Sequence, residues 1–305
     1  MKRILSLNVL IILGVLLEFF GIAYFIVHKK NELNNPKIEI YSVFHKDFPI
    51  FKNDIVILIH AGRALKRDFG RPLLNKMIGD NTGVNISEKN NRYAELTVMY
   101  WIWKNSKADY VGLMHYRRSL IIDTSFLPEV NQHRYCYNYL CVLGITHSNI
   151  AALLKHYDII VHEKVTMDTS IRMHYYSAHE KEDLLAATKY IQKHYPHMYK
   201  VTLDTLYDIK FSNMNLFIMR KDIYDKYCEW LFDILFHIEP ELSYKRGYQE
   251  RAAGFLSERL LTIWLNYQSI FSHYRITYAP VNMFDEADAF SSITFNEGNS
   301  SRIYQ

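Results

Sequence analysis

The sequence lacks three features that would each indicate a class of protein: a cysteine framework, a basic run and an internal repeat. Its three cysteines are odd in number and lack zinc-ligand spacing, which argues against disulfide bonds and a zinc site and favours a reducing compartment. The 36 basic and 32 acidic residues are interspersed, whereas a nucleic-acid-binding surface needs basic residues in a run or on one face. The sequence therefore predicts no nucleic-acid partner.

Apolar residues, in contrast, are abundant. Hydrophobic residues make up 49% of the chain and aromatic residues 15%, which is enough to form a core and argues against disorder. A chain of 305 residues exceeds the usual size of one domain, but not by enough to require two. One large domain with an appendage is the simplest interpretation.

The predicted appendage is a transmembrane helix at the N-terminus. Only Glu18 is strongly polar between Val9 and Val27, and roughly 20 apolar residues span a bilayer. We therefore expect a membrane anchor over 1–30 and a polar linker over 31–36. A signal peptide or a surface helix is the alternative, since a carboxylate at mid-membrane costs about 2.5 to 3.5 kcal/mol. Positive charge flanks both ends of the segment, so the charge pattern does not orient it.

Alternating strand and helix patterns predict an α/β domain over 37–285, with a mainly parallel sheet flanked by helices. Small and polar residues then indicate a flexible tail over 286–305. The predicted strands cover residues 37–44, 55–59, 110–114, 158–161 and 215–219. The predicted helices cover residues 96–105, 148–156, 180–194, 222–237 and 253–267.

The first candidate site is the loop before the helix at 96–105. It is dense in short hydrogen-bonding side chains, and the N-terminus of the helix that follows favours anionic groups. The loop therefore suits a ribose or a diphosphate, although an elaborate helix cap explains the same residues. The candidate ligand-binding residues are Asp80, Asn81, Asn85, Ser87 and Lys89.

The second candidate site follows a predicted buried strand, which leads directly into His115, Arg117 and Arg118. In open α/β sheets ligands bind beyond the carboxyl ends of the strands. The planar guanidinium of arginine can form two parallel hydrogen bonds with a phosphate. These residues therefore suit a pyrophosphate leaving group, and surface ion pairs are the alternative.

The third candidate site is Glu258, followed by Arg259, within a helix that is apolar almost all round. Burial raises the pKa of a carboxyl group into the range useful to a general base. A structural salt bridge explains the residues nearly as well.

Lesser candidates lie between the second and third sites. His179 and Asp183 stand four residues apart, so a shared helix would bring them together and the carboxylate could orient the imidazole. Tyr176 precedes them, and Asn213 and Asn215 lie at the start of a predicted strand. The remaining histidines show no metal-ligand spacing.

Four segments closely resemble a glycosyltransferase-like family from capsule, exopolysaccharide and O-antigen clusters, described as a domain of unknown function. The segments are GDNTGVNISEKNNRYAELTVMYWIWKN, ADYVGLMHYRR, NMNLFIMRKDIYDKYCEWLFDILF and GFLSERLLTIWL. The resemblance covers roughly Lys37 to Met283. It implies a GT-A-like fold and a transferase that uses a nucleotide-diphosphate sugar such as a UDP-sugar; some members resemble galactofuranosyltransferases.

Carried over by motif position, the resemblance assigns roles to each candidate site. The loop from Asp80 to Asn90 would bind the donor, His115 to Arg118 would contact its diphosphate, and Glu258 would lie on the acceptor side. Tyr176, His179, Asp183, Asn213, Asn215 and Arg259 are then candidates for acceptor binding or for support of the site. Many GT-A enzymes carry a metal-binding Asp-x-Asp motif where this chain has His115-Tyr116-Arg117. We therefore expect cationic side chains to substitute for the metal, so that no cofactor is required and dependence on a divalent metal is weak or absent.

The expected partners are a nucleotide sugar, a glycan or lipid-linked acceptor and a membrane. Because bacterial nucleotide sugars are cytoplasmic, the catalytic domain would face the cytoplasm from the inner membrane. A phosphoryl or nucleotidyl transferase would also need arginines and an Asn/Asp-rich loop, and a non-catalytic sugar-binding subunit of an assembly complex would also be rich in aromatic residues. Both alternatives remain open from the sequence.

Overall fold

A mixed β-sheet forms the centre of the protein. The computed structural model describes residues 35–65, 73–123, 139–244 and 247–284. Within them the central sheet has nine strands: β1 Ile38–Phe44, β2 Val56–His60, β3 Ile78–Gly79, β4 Tyr110–His115, β5 Arg118–Leu120, β6 Ile159–His162, β9 Phe217–Arg220, β10 Ile276–Ala279 and β11 Val281–Met283. A separate two-stranded sheet pairs β7 Val165–Thr166 with β8 Lys210–Phe211.

Strand direction places one end of β9 beside the ends of its neighbours. The main path runs β10-β6-β9-β4-β1-β2-β3. Off this path, β5 pairs with β4, and β11 pairs with β5. All strands of that path run parallel except β9, which is antiparallel to both β4 and β6. The prediction of a mainly parallel sheet is confirmed. Because β9 is reversed, the residues that precede it lie at the carboxyl edge of the parallel strands.

Helices cover both faces of this sheet, as predicted. They are α1 Asn90–Tyr93, α2 Leu96–Asn105, α3 Tyr139–Val142, α4 His147–Leu154, α5 Ile171–Ala178, α6 Lys181–His194, α7 Pro196–Tyr207, α8 Lys221–Ile238 and α9 Ala252–Phe271. Alternate residues of β1 belong to different hydrophobic clusters: Tyr41 and Val43 pack with the cluster of α2 and α5 to α9, and Ile40 and Phe44 with that of α4.

Two segments contain elements that the sequence did not predict. Helix α6 ends at His194, as predicted, but Pro196 then occupies the first turn of a further helix, α7, where the missing N–H of a proline costs no hydrogen bond. The segment over 62–92, for which the sequence predicted no strand or helix, contains β3, α1 and short 3₁₀ helices. The pairing of β3 with β2 fixes this segment at the sheet edge.

Residue contacts divide the chain after Lys37. The described residues from Ile38 onward form one compact unit. None of the helices within the described ranges combines the length and the apolarity needed to cross a bilayer. The predicted anchor over 1–30, nearly all of the linker over 31–36 and the tail over 286–305 lie outside the described residues.

Candidate functional site

Two adjoining cavities open at the carboxyl edge of the sheet. Cavity I, of about 470 Å³, lies where β1 and β4 end and β9 begins, against the first half of α9. Cavity II, of about 650 Å³, lies beyond the ends of β1 and β2. The residues that line both cavities are Val43, His45, Ala94, Glu95, His115 and Arg251. This edge is where open α/β sheets bind ligands.

Cationic and histidine side chains make up much of the wall of cavity I. Strand β4 ends at His115, and a tight turn pairs His115 with Arg118 of β5. This hairpin therefore brings His115, Arg117 and Arg118 to the cavity, as the sequence predicted. The other basic residues of the wall are His45, Lys46 and Arg251.

Electrostatics in cavity I favour an anion. Burial, followed by the nearby charges of His45, Arg118, Arg117 and Lys46, holds the pKa of His115 well below its usual range. Nδ1 of His115 and Nε of Arg118 are buried and make no hydrogen bond within the described residues. A bound anion could accept hydrogen bonds from such groups and offset their mutual repulsion.

Glu258 lies opposite this cationic wall. Every residue of α9 from Ala252 to Leu265 is buried except Phe255 and Glu258, and both of these line cavity I. The Glu258 side chain retains 23% exposure. Burial raises its pKa to about 8, and the negative charge of Glu95 adds to this rise while Arg259 opposes it. A carboxyl group with this pKa can act as a general base near neutral pH.

Arg259 holds Glu258 from inside the protein. Its Nη1 donates to Oε2 of Glu258 at 2.8 Å, and its Nη2 lies 2.9 Å from Nδ1 of His174. The guanidinium is packed between the rings of Tyr175 and Phe211, and the side chain is only 1% exposed. The two residues are therefore partners, and Glu258 both forms an ion pair and lines the cavity.

The loop over 79–90 does not contribute to the cavities in the predicted way. Asp80 is fully buried and lines neither cavity. Its carboxylate accepts hydrogen bonds from the N–H groups of Gly62 and Arg63 and from the hydroxyls of Ser87 and Thr97, at 2.5 to 3.0 Å. The expected ligand contacts of Asp80 and Ser87 are therefore corrected, because both side chains are used to hold the loop against α2.

The other loop candidates also lie away from the two cavities. Asn81 is exposed, and Asn85 bonds locally with Gly83 and Ser87. Lys89 forms an ion pair with Glu239 at 2.7 Å. The part of the loop that reaches a cavity is its end, where Asn90, together with the adjacent Asn91, lines cavity II.

The predicted pair of His179 and Asp183 does not form. Helix α5 ends before His179, which has an extended backbone, and α6 begins at Lys181, so the two residues do not share a helix. The imidazole of His179 stacks on Phe255 and bonds to Gln249 at 3.1 Å. The carboxylate of Asp183 accepts the N–H of Ser243 at 2.7 Å. Tyr176 lies on α5 by a shallow surface depression, away from cavities I and II.

Asn213 and Asn215 do line cavity I, because they precede the reversed strand β9. The amide of Asn215 donates to Oε1 of Glu95 at 2.9 Å and to the hydroxyl of Ser257 at 2.8 Å. The Oδ1 atoms of Asn213 and Asn215 are buried and accept no hydrogen bond within the described residues. Both residues thus combine a position at the cavity with unused acceptor capacity.

Sequence reasoning missed Glu95, His45, Lys46 and Arg251. His45 and Lys46 directly follow β1, so the rule that located His115 also applied to them. Glu95 precedes the apolar stripe of α2 and resembled an ordinary helix start. In the described residues, no group of three or more His, Cys, Asp or Glu side chains is arranged to hold a metal ion.

The comparisons with known proteins agree with this architecture. A solved structure titled as the apo form of the bifunctional glycosyltransferase WbbM is similar, with a TM-score of 0.70 and 26% sequence identity. The similarity covers 82% of this chain but 46% of that one, so the chain spans about half the length of WbbM. No curated protein matched. Residues 39–269 match the family described as Domain of unknown function (DUF4422), and the chain belongs to that family.

Proposed function

We propose that this protein is a GT-A-like glycosyltransferase that moves a sugar from a nucleotide-diphosphate donor to a glycan or lipid-linked acceptor. The observation that carries the proposal is the pairing, in cavity I, of a cationic wall with a carboxyl group whose pKa is raised to about 8. The similarity to WbbM, whose title describes a bifunctional glycosyltransferase, supports glycosyl transfer as the reaction type.

The cationic wall suits the diphosphate of the donor. As the bond between the anomeric carbon and the diphosphate oxygen breaks, negative charge grows on the leaving nucleoside diphosphate. Arg117 and Arg118 lie in the wall of the cavity beside the neutral imidazole of His115, and preorganised cations stabilise such charge most strongly when water is excluded. We place the nucleoside in cavity II, beside Asn90 and Asn91.

Glu258 is the proposed general base. The acceptor hydroxyl oxygen attacks the anomeric carbon from the face opposite the leaving group, and the hydroxyl proton passes to the Glu258 carboxylate. The electron pair of the broken bond leaves with the nucleoside diphosphate, so the anomeric configuration inverts. Arg259 fixes the carboxylate through its 2.8 Å hydrogen bond.

The proposal extends to cofactors and location. Cationic side chains at the end of β4 would take the place of a divalent metal on the diphosphate, so we expect transfer to continue in the presence of a chelator. The apolar segment over 1–30 would tether the domain to the cytoplasmic face of the bacterial inner membrane, near a lipid-linked acceptor. UDP-galactofuranose is a candidate donor, in keeping with the resemblance of the sequence motifs.

The test is an assay of the full chain with UDP-glucose, UDP-galactose and UDP-galactofuranose, each with a bacterial membrane lipid extract. Mass spectrometry should detect a product that is heavier by one sugar residue, together with released UDP. Glu258→Gln should lower turnover at least a hundredfold and leave UDP binding within twofold. Glu229→Gln, on the exposed face of α8, is the matched control and should retain full activity.

Other outcomes separate the alternatives. A phosphoryl or nucleotidyl transferase would release UMP or transfer a phosphorus-containing group, which a phosphorus assay of the product detects. A non-catalytic sugar-binding subunit would bind glycan without binding UDP. Full turnover by Glu258→Gln would show that Glu258 is structural.

A further inference from the structure

Glu95 occupies the junction of the two cavities. It lines both cavity I, which also contains Glu258 and the cationic wall, and cavity II, which contains Asn90 and Asn91. Glu95 is also close enough to Glu258 for its negative charge to raise the pKa of that group. A ligand that extends from one cavity into the other must therefore pass this carboxylate.

The local backbone presents Glu95 to the cavities. Glu95 immediately precedes α2, and its side chain makes no capping hydrogen bond to the helix. Ala94, which precedes it, has a φ of 47°, a backbone conformation that a residue with a Cβ rarely adopts. The strained backbone at Ala94 thus lies directly before the residue whose carboxylate lines both cavities.

Neighbouring side chains hold Glu95 in place. Asn215 donates to its Oε1 at 2.9 Å and to Ser257 at 2.8 Å, and Ser257 donates to the carbonyl oxygen of Gly254 at 2.6 Å. The carboxylate is thus tied to both β9 and α9. A carboxylate offers about four acceptor positions, and the bond from Asn215 uses one of them.

We infer that Glu95 accepts hydrogen bonds from hydroxyl groups of the transferred sugar and thereby determines which sugar the site uses. This inference rests on the proposed function. The transferred sugar must lie between the departing diphosphate and the base, and Glu95 lines the cavity that contains both the cationic wall and Glu258. Hydroxyl-to-carboxylate hydrogen bonds are short and strong, and a site built around them rejects analogues that lack the hydroxyl.

The test compares Glu95→Gln with wild type. UDP is the sugar-free probe of binding, and the substrate is the UDP-sugar that wild type uses best in the assay above. The kcat/KM for that donor should fall at least tenfold, while the Kd for UDP changes less than twofold. Wild type should discriminate strongly against one monodeoxy analogue of the donor sugar. Glu95→Gln should discriminate at least fivefold less at the same hydroxyl.

A second readout distinguishes this role from a purely structural one. Removal of the negative charge should lower the pKa of Glu258, so the rising limb of the kcat/KM profile should move to lower pH in Glu95→Gln. Ser257→Ala, which loosens Asn215 without removing the carboxylate, should weaken discrimination at the same hydroxyl and should not shift the pH profile downward.

The outcomes are separable from those of the proposed function. Unchanged kcat/KM and unchanged hydroxyl discrimination in Glu95→Gln, with active wild type, would overturn the inference and leave glycosyl transfer intact. Wild type that neither binds UDP nor transfers a sugar would overturn both. Loss of all turnover in Glu95→Gln with turnover kept in Glu258→Gln would assign the base to Glu95 and also overturn the inference.

Discussion

At the scale of single residues, the chemistry depends on how burial changes proton affinity. Glu258 and His115 line the same cavity, and burial shifts their pKa values in opposite directions. It raises the pKa of the carboxyl group and lowers that of the imidazole, and both shifts favour the neutral form. The sequence singled out both residues from strong local patterns, and both line cavity I. It did not identify Glu95, whose position depends on a hydrogen bond from Asn215, 120 residues along the chain.

The pH dependence of activity follows from Glu258. A general base must be deprotonated, so kcat/KM should rise with pH up to about 8 and level off above it, as set by the raised pKa. The measurement is kcat/KM from pH 5.5 to 9.5 in buffers of constant ionic strength. A profile that is flat across pH 8 would remove Glu258 from the role of base.

Stability should depend on pH through the same group. The pKa of Glu258 is raised from 4.5 to about 8 in the folded protein, so its protonated form stabilises the fold. That contribution is complete below about pH 4.5 and is lost as pH rises through 8. Between pH 6 and 9 the free energy of unfolding of wild type should therefore fall more than that of Glu258→Gln. Parallel denaturant titrations of the two proteins measure this free energy at each pH. If it fell equally with pH in both proteins, the prediction would be wrong.

His115 should report the arrival of a diphosphate. Its pKa is held low by burial and by neighbouring cations, and a bound dianion would favour the protonated imidazole. We expect the pKa of His115 to rise when UDP binds and not when uridine binds, as followed by NMR of the ring nitrogens. An unchanged titration at saturating UDP would place the phosphates elsewhere.

At the scale of elements, the loop over 79–90 supports the site without lining it. The Asp80 carboxylate joins β3 to the chain after β2, to Ser87 and to α2. Asp80→Ala should therefore lower the free energy of unfolding by about 2 kcal/mol or more, since it leaves buried donors without an acceptor. Thermal and denaturant unfolding measure this loss. The UDP affinity of the folded fraction should stay within about threefold, and a large selective loss of UDP affinity would restore Asp80 to the donor site.

The sequence predicted most long elements, because apolar residues mark them clearly: they are periodic in α2 and α8 and lie almost all round α9. It predicted short or reversed elements poorly. The reversal of β9 depends on pairing with β4 and β6, which a local pattern does not encode. Likewise, the pair of His179 and Asp183 assumed one continuous helix, but the backbone extends at His179 between α5 and α6.

At the scale of the whole molecule, the chain combines a compact unit from Ile38 onward with an apolar N-terminal segment. We predict that the full chain sediments with bacterial inner membranes and stays there after an alkaline carbonate wash. Release by the wash would contradict an anchor that spans the bilayer.

The central claim is that the cationic wall of cavity I binds the two phosphates of a sugar nucleotide. The most direct test is calorimetric titration of UDP into the full chain, with wild type compared with a variant in which Arg117 and Arg118 are both changed to Gln. We predict saturable binding by wild type that weakens with added salt, and a loss of at least tenfold in affinity in the variant. Equal affinity in the two proteins, or no binding of UDP by wild type, would contradict the account.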